Sequence, residues 1–149
     1  MNATAITSST AFRLHRATVL LDRLADRYLL REHGLSYSSF TVLLMISVLD
    51  GPTQRQIADN LDVSRASVTQ RLDRLQRDGL VVAAPDPRDA RANRVVFTEA
   101  GRERFTRAWI GLESHQDGLD DGVDEAVLGR QLDRVIANAV AALAASDAR

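Results

Sequence analysis

Between Ser64 and Arg77 the chain sets hydroxyls, an amide and arginines at helical spacing. Turned at about 100° per residue, Ala66, Thr69, Gln70, Asp73, Arg74 and Arg77 face away from Val68, with Ser67 nearby. Val68, Leu72 and Leu75 recur at i, i+4 and i+7 and form the apolar side. Small and polar groups at the N-terminal end of such a helix suit insertion into a DNA major groove, where base edges are read at short range. Gln70 carries an amide suited to a paired contact with adenine. Arg65 and Arg71 sit nearer the apolar side, which leaves them either internal pairing or a sideways reach to phosphate. Asp73 repels phosphate unless it is paired, and Arg77 lies four residues on, the favourable position for that pair. Taken alone, a polar face with arginines reads first as a solvated face, so its neighbours must decide.

A second arginine cluster follows. The runs Leu80-Val-Val-Ala-Ala84 and Arg94-Val-Val-Phe97 are short and rich in β-branched residues, and Pro85-Asp-Pro-Arg-Asp-Ala-Arg-Ala-Asn93 separates them. This predicts a hairpin with a charged loop over 85–93, longer than the usual ~2–5 residues. Arg91 near its tip suits a narrow, electronegative minor groove. Elsewhere His15, Arg16, Tyr37 and Trp109 are candidates for a small-molecule pocket, with Arg16 as the charge for a carboxylate and the aromatics as walls. Ordinary packing and surface placement account for each of the four equally well. His15, His33 and His115 have no metal-ligand spacing, and His33 at a helix end reads as a C-terminal cation. Asp120, Asp121, Asp124 and Glu125 lack the glycine-hinged oxygen loop of a calcium site and read as acids at a helix start. No nucleophile elbow, phosphate loop or dinucleotide fingerprint occurs. The expectation is no enzyme, no metal and no cofactor.

The elements that must position these groups are mostly helical. Residues 12–32 carry a broad apolar stripe through Leu14, Ala17, Leu21, Leu24 and Tyr28, widened by Phe12, Leu20 and Leu29, with Ser9 or Thr10 as cap and Gly34 past the end. Ser36 caps a helix to about residue 50, with Phe40, Leu43, Leu44 and Ser47 on one face. Pro52 ends it, since proline disfavours helix in the residue before it. Thr53 and Gln56 have capping-box spacing and open a short helix to about residue 60, with Ile57, Ala58 and Leu61 inward. Ser64 caps the helix over 64–78, and Gly79 stops it. Thr98 caps a helix to about residue 117, in which Gly111 costs ~1 kcal/mol relative to Ala. Gly118 and Gly122 bracket a break. The last helix, 123–145, aligns Leu128, Leu132, Val135, Ile136, Ala139, Val140 and Leu143. Two short helices, a tight turn and a hairpin form a winged helix-turn-helix pattern over 53–97, with Ile57, Leu61 and Val63 filling the angle.

Composition narrows the class. The 149 residues include no cysteine, which excludes disulfides, thiolate metal sites and thiol-based redox sensing. No uninterrupted apolar run, Val42 to Ile46 included, approaches the ~18 residues of a membrane span. No secretory signal shows at 1–10, so a cytoplasmic protein is expected. Net charge is −1 overall but uneven: +1 over 1–52, +2 over 53–94, +1 over 95–110 and −5 over 111–149. A mildly basic middle masked by an acidic end points weakly to nucleic acid. All 19 basic residues are arginine, a skew that codon bias explains before DNA binding does.

Over 35–101 the chain resembles the multiple-antibiotic-resistance-regulator (MarR) family of bacterial transcription factors. The matching stretches are Ser36-Tyr-Ser-Ser-Phe-Thr-Val-Leu43, Thr53-Gln-Arg-Gln-Ile-Ala58, Leu61-Asp-Val-Ser-Arg-Ala-Ser-Val-Thr69, Leu72-Asp-Arg-Leu75, Asp78-Gly-Leu-Val81, Asp86-Pro-Arg-Asp-Ala-Arg91 and Phe97-Thr-Glu-Ala-Gly101. Two departures are Ala84, where a basic residue is frequent, and Phe97, where leucine is more usual. The resemblance implies a single mostly α domain over 1–149, with a small β-hairpin, a winged lobe at 36–101 and dimerisation helices at 10–34 and 102–146. It implies a homodimer on double-stranded, pseudo-palindromic DNA, acting as a repressor released by a small, often anionic aromatic, effector. Its DNA-binding residues would be Ser64, Arg65, Ala66, Ser67, Thr69, Gln70, Arg71, Arg74, Arg88 and Arg91. Thr69 and Gln70 fall at base-reading positions, Arg91 at the wing-tip arginine, and Asp86, Arg88 and Asp89 at the ionic frame of the loop. The alternative is a ligand-independent DNA- or protein-interaction module.

Overall fold

A computed structural model describes residues 3–86, 89–114 and 118–147, with side chains there except at 3, 4, 89–92 and 147. The chain divides into two compact units, 1–114 and 115–149. In the first, α1 (Ala3–Thr7) and α2 (Thr10–His33) precede α3 (Tyr37–Val48), α4 (Gln54–Leu61) and α5 (Arg65–Arg77). A hairpin of β1 (Val81–Asp86) and β2 (Asp89–Phe97) then leads to α6 (Glu99–Ser114). The second unit carries α7 (Glu125–Asp147). The fold is thus mostly α with one antiparallel hairpin, arranged as a winged helix-turn-helix. No described helix is long and apolar enough to cross a membrane.

Local sequence sets most helix boundaries. Ser9, not Thr10, caps α2, accepting the Phe12 N–H at 3.2 Å. Gly34 closes it at φ +61°, a left-handed cap that satisfies end carbonyls. Ser36 and Ser64 cap α3 and α5 in the same way as Ser9. Thr53 and Gln56 form the reciprocal capping box of α4. Asp124 accepts the Val127 N–H at 2.9 Å, so α7 starts two residues later than the periodicity predicts. The helix α1 has no counterpart in the sequence reading.

Three expectations change. The helix α3 was expected to show one apolar face through Phe40, Leu43, Leu44 and Ser47. Instead Ser39, Phe40, Val42, Leu43 and Ile46 are buried and Ser47 is exposed. Five elements pack against it (α2, α4, α5, α6 and β2), which erases an amphipathic period. The nine-residue wing loop does not form, because β1 and β2 pair as far as Asp86 and Asp89. A register shift after the Pro85–Asn93 pair leaves 90–92 as extra residues of β2. Charged, proline-containing strands carry no apolar alternation, but backbone pairing does not require it. Gly111, counted as a cost, has a packing reason: a Cβ there would collide with the Tyr28 hydroxyl.

The core sits under α5. Val68, Leu72 and Leu75 are fully buried together with Ile57, Val42 and Leu43. The hairpin joins this core through Leu80, Val81 and Val95. At its exit the Thr98 hydroxyl donates to the Gly79 carbonyl at 2.7 Å and accepts the Gly101 N–H at 2.9 Å. Gly101 lies against the Leu80 carbonyl so closely that no Cβ fits.

Candidate functional site

The tight turn at Asp62 orients α5 relative to α4. Asp62 adopts φ +51°, a left-handed conformation that aspartate tolerates better than most residues. Ser64 then leaves the chain extended and accepts the Ser67 N–H at 3.2 Å, so α5 begins with a satisfied N-terminus. Buried Val68, Leu72 and Leu75 fix the rotation of the helix, and this rotation decides what faces solvent.

The structure brings most of the predicted reading residues onto one exposed surface. Ser64, Arg65, Ala66, Thr69, Gln70 and Arg74 are exposed, while Ser67 and Arg71 are half-buried. Arg65 was expected nearer the apolar side and is instead open to solvent, at the first residue of the helix. The expected Asp73–Arg77 ion pair is also absent: Arg77 Nε donates to the Asp73 backbone carbonyl at 3.2 Å. Arg88 lies outside the described residues. Arg91 lies on β2, three positions before Arg94, and its side chain is likewise outside them.

Sequence reading missed Gln54. It is exposed at the first position of α4, and its Oε1 accepts a long hydrogen bond from Thr69 Oγ1 at 3.4 Å. The same hydroxyl also donates to the Arg65 carbonyl at 3.0 Å. Gln54 thereby extends the polar surface of α5 onto α4. The capping box drew attention to Gln56, and only the crossing of the two helices reveals Gln54.

Of the four proposed pocket residues, Tyr37 and Trp109 meet at Phe40. Their rings each lie 6.5 Å from that of Phe40. The Tyr37 hydroxyl meets Asp22, and its backbone N–H donates to Asp26 Oδ1 at 2.8 Å. Burial first, and then the Asp22 carboxylate, push the Tyr37 phenol above its ordinary pKa. His15 and Arg16 are exposed on the first half of α2. Arg16 precedes Asp22 by six residues, about 9 Å along a helix axis. Two carboxylates thus meet Tyr37, Asp22 at its hydroxyl and Asp26 at its backbone.

His33 also departs from its expected role. Its Nε2 is buried without a hydrogen-bond partner, and its ring lies 5.6 Å from that of Tyr28. Burial lowers its pKa most; Glu32 opposes this, and the Arg107 and Arg104 guanidiniums add smaller downward pushes. It is a neutral packing residue at pH 7, not a helix-end cation. Among the described residues no group of three or more His, Cys, Asp or Glu side chains could hold a metal.

Known proteins share this arrangement. The family model described as MarR family matches residues 33–92. The transcriptional activatory protein BadR of Rhodopseudomonas palustris is 35% identical over 94 residues, 61% of this chain and 53% of BadR. The chain thus spans about half the length of that relative. Wild-type apo MarR from E. coli superposes with a TM-score of 0.76 at 27% identity, over 85% of this chain and 96% of MarR. Over residues 33–92 the chain is similar to the MarR family. CouR, a transcriptional repressor solved on a 23-mer DNA duplex, superposes with a TM-score of 0.75 at 25% identity, over 93% of this chain and 98% of CouR. The matched residues 33–92 take in α3, α4, α5 and most of the hairpin.

Proposed function

We propose that this chain is a MarR-type regulator that binds double-stranded DNA as a homodimer in the cytoplasm, without enzymatic activity, and represses transcription until a small aromatic effector releases it. The exposed polar face of α5 carries the DNA-binding reading. A helix whose apolar residues are all buried and whose capped N-terminal end presents Ser64, Ala66, Thr69 and Gln70 suits major-groove entry. Ser67, Arg65, Arg71, Arg74, Arg88 and Arg91 would supply the flanking phosphate and minor-groove contacts.

The dimer reading rests on apolar surface. Leu20, Leu21, Leu24 and Leu30 on α2 remain exposed, as do Ile136, Val140 and Leu143 on α7. A soluble monomer rarely leaves so much apolar helix surface open. The effector reading rests on Tyr37 and Trp109 beside Phe40. Asp22 and Asp26 disfavour a carboxylate near Tyr37, so a phenolic or amine-bearing aromatic is the better fit there.

The test starts from a duplex that the full chain enriches from a random pool. Titration is expected to give two chains per pseudo-palindromic site, with half-sites one helical turn apart. No enrichment, or one chain per site, overturns the reading. An aromatic library that shifts neither Trp109 emission nor affinity for that duplex removes the effector and leaves a ligand-independent DNA-binding module.

A further inference from the structure

The base of the wing is tied to the helix-turn-helix by one side chain. Arg94 lies half-buried on β2, paired with Ala84 of β1. Its guanidinium reaches across to the turn that ends α3, where Nε donates to the Gly51 carbonyl at 2.6 Å and Nη2 donates to the Asp50 carbonyl. Both acceptors lie in a left-handed turn, with Asp50 at φ +52° and Gly51 at φ +77°. A Cβ on Gly51 would stand 2.7 Å from Arg94 Nη2, so glycine leaves the space that the guanidinium occupies. The backbone follows the side chain. Val95 N–H donates to the Pro52 carbonyl at 2.8 Å, and Thr53 forms an isolated antiparallel bridge with Arg94. Thr53 is itself the cap of α4. One residue of the wing therefore touches both the C-terminal end of α3 and the N-terminal end of the first helix of the helix-turn-helix.

We propose that Arg94 is a positioning residue that fixes the direction of the wing relative to α5, so that the wing and the reading helix meet DNA together. Two donors on a planar fork hold two successive carbonyls, a geometry that sets orientation as well as distance. Lysine carries a point charge with three rotatable donors, and without the rigid fork it does not fix the same orientation. Beyond this anchor β2 runs three residues to Arg91, so a small rotation at the base is magnified towards the tip. The inference rests on the DNA-binding reading and adds to it a residue that makes no DNA contact of its own.

The test measures the full chain on its selected duplex, comparing Arg94→Met, Arg94→Lys and Arg91→Ala, and combining Arg94→Met with Arg91→Ala. Arg94→Met is expected to weaken binding about tenfold, the scale of one lost charge-assisted hydrogen bond. Arg94→Lys keeps the charge and is expected to fall close to Arg94→Met. The double variant is expected to bind no more weakly than the worse single one, because both act through the wing. Amide exchange is expected to rise at Val95 and to stay unchanged in α5. Wild-type binding by both Arg94 variants, with Arg91→Ala damaging, overturns the inference alone. Silent Arg94 and Arg91 variants together overturn the wing as a DNA contact. Recovery by Arg94→Lys, or full additivity with Arg91→Ala, also overturns the inference, because each assigns Arg94 a direct charge contact.

Discussion

The helices α5 and α7 are both amphipathic, yet they dispose of their apolar residues in opposite ways. On α5, Val68, Leu72 and Leu75 are each no more than 1% exposed, and every residue left open is polar or small. On α7, Ile136, Val140 and Leu143 are 60%, 62% and 66% exposed. The single chain explains the pattern of α5 completely. It does not explain that of α7, whose apolar stripe has the composition of a core and the exposure of a surface. The difference separates two situations: α5 presents a polar face from a buried base, whereas α7 leaves its apolar stripe exposed in the single chain.

The sharpest way to break this comparison is to damage each helix where it should matter most. Leu72→Ala is expected to cost about 2–5 kcal/mol in denaturant unfolding, through lost transfer energy and a residual cavity. A loss under about 1 kcal/mol would mean that α5 is not anchored as described. Ile136→Asp combined with Val140→Asp is expected to convert a dimer into monomers in light scattering while the chain stays folded. An unchanged mass would show that α7 is not part of a dimer contact.

The polar face of α5 allows a finer test. Gln70→Ala is expected to cost ~1–3 kcal/mol on the selected duplex only, and to relax one base preference per half-site. Arg91→Ala is expected to weaken selected and scrambled duplexes alike and to flatten the salt dependence by about one unit of slope. Neither variant should move the unfolding midpoint. Equal losses for Gln70→Ala on both duplexes would mean that the α5 face contacts phosphate without reading sequence.

The smallest expected effect concerns His33. Burial and two nearby arginines lower its folded pKa below the unfolded value of 6.5, so the unfolded chain takes up its proton first as pH falls. Its contribution to stability is complete above that unfolded value and declines as pH drops towards the lowered folded one. The pH dependence of unfolding is expected to flatten in this window in His33→Gln. An unaltered profile would show that His33 does not carry the titration.

What was legible in the sequence follows the range of the interaction. Caps are local, so Ser36, Thr53 with Gln56, Ser64, Thr98 and Gly34 could be read directly. The burial of Val68, Leu72 and Leu75 was legible because one side of α5 faces the core. The symmetric burial of α3 was not, since a helix packed on several sides loses its period. The contact of Arg94 with Gly51 spans 43 positions, and nothing near either residue announces it. The Gly111–Tyr28 approach and the Gln54–Thr69 contact were hidden for the same reason. Among the pocket candidates, only Tyr37 and Trp109 are seen against a common ring, that of Phe40, a contact that residue type alone does not announce.

The corner at Thr98 has a consequence for how this fold can vary. One hydroxyl holds the chain just before the hairpin and caps the helix just after it, and Thr98 N–H returns to the Leu80 carbonyl at 3.1 Å. The two ends of the hairpin are therefore clasped independently of what lies between them. Residues can be added to or removed from the far end without disturbing the register at the base or the placement of α6. Wing length becomes a separable trait, open to lineage drift or to deliberate grafting, while the clasp itself tolerates little: at Gly101 the available alphabet has one letter.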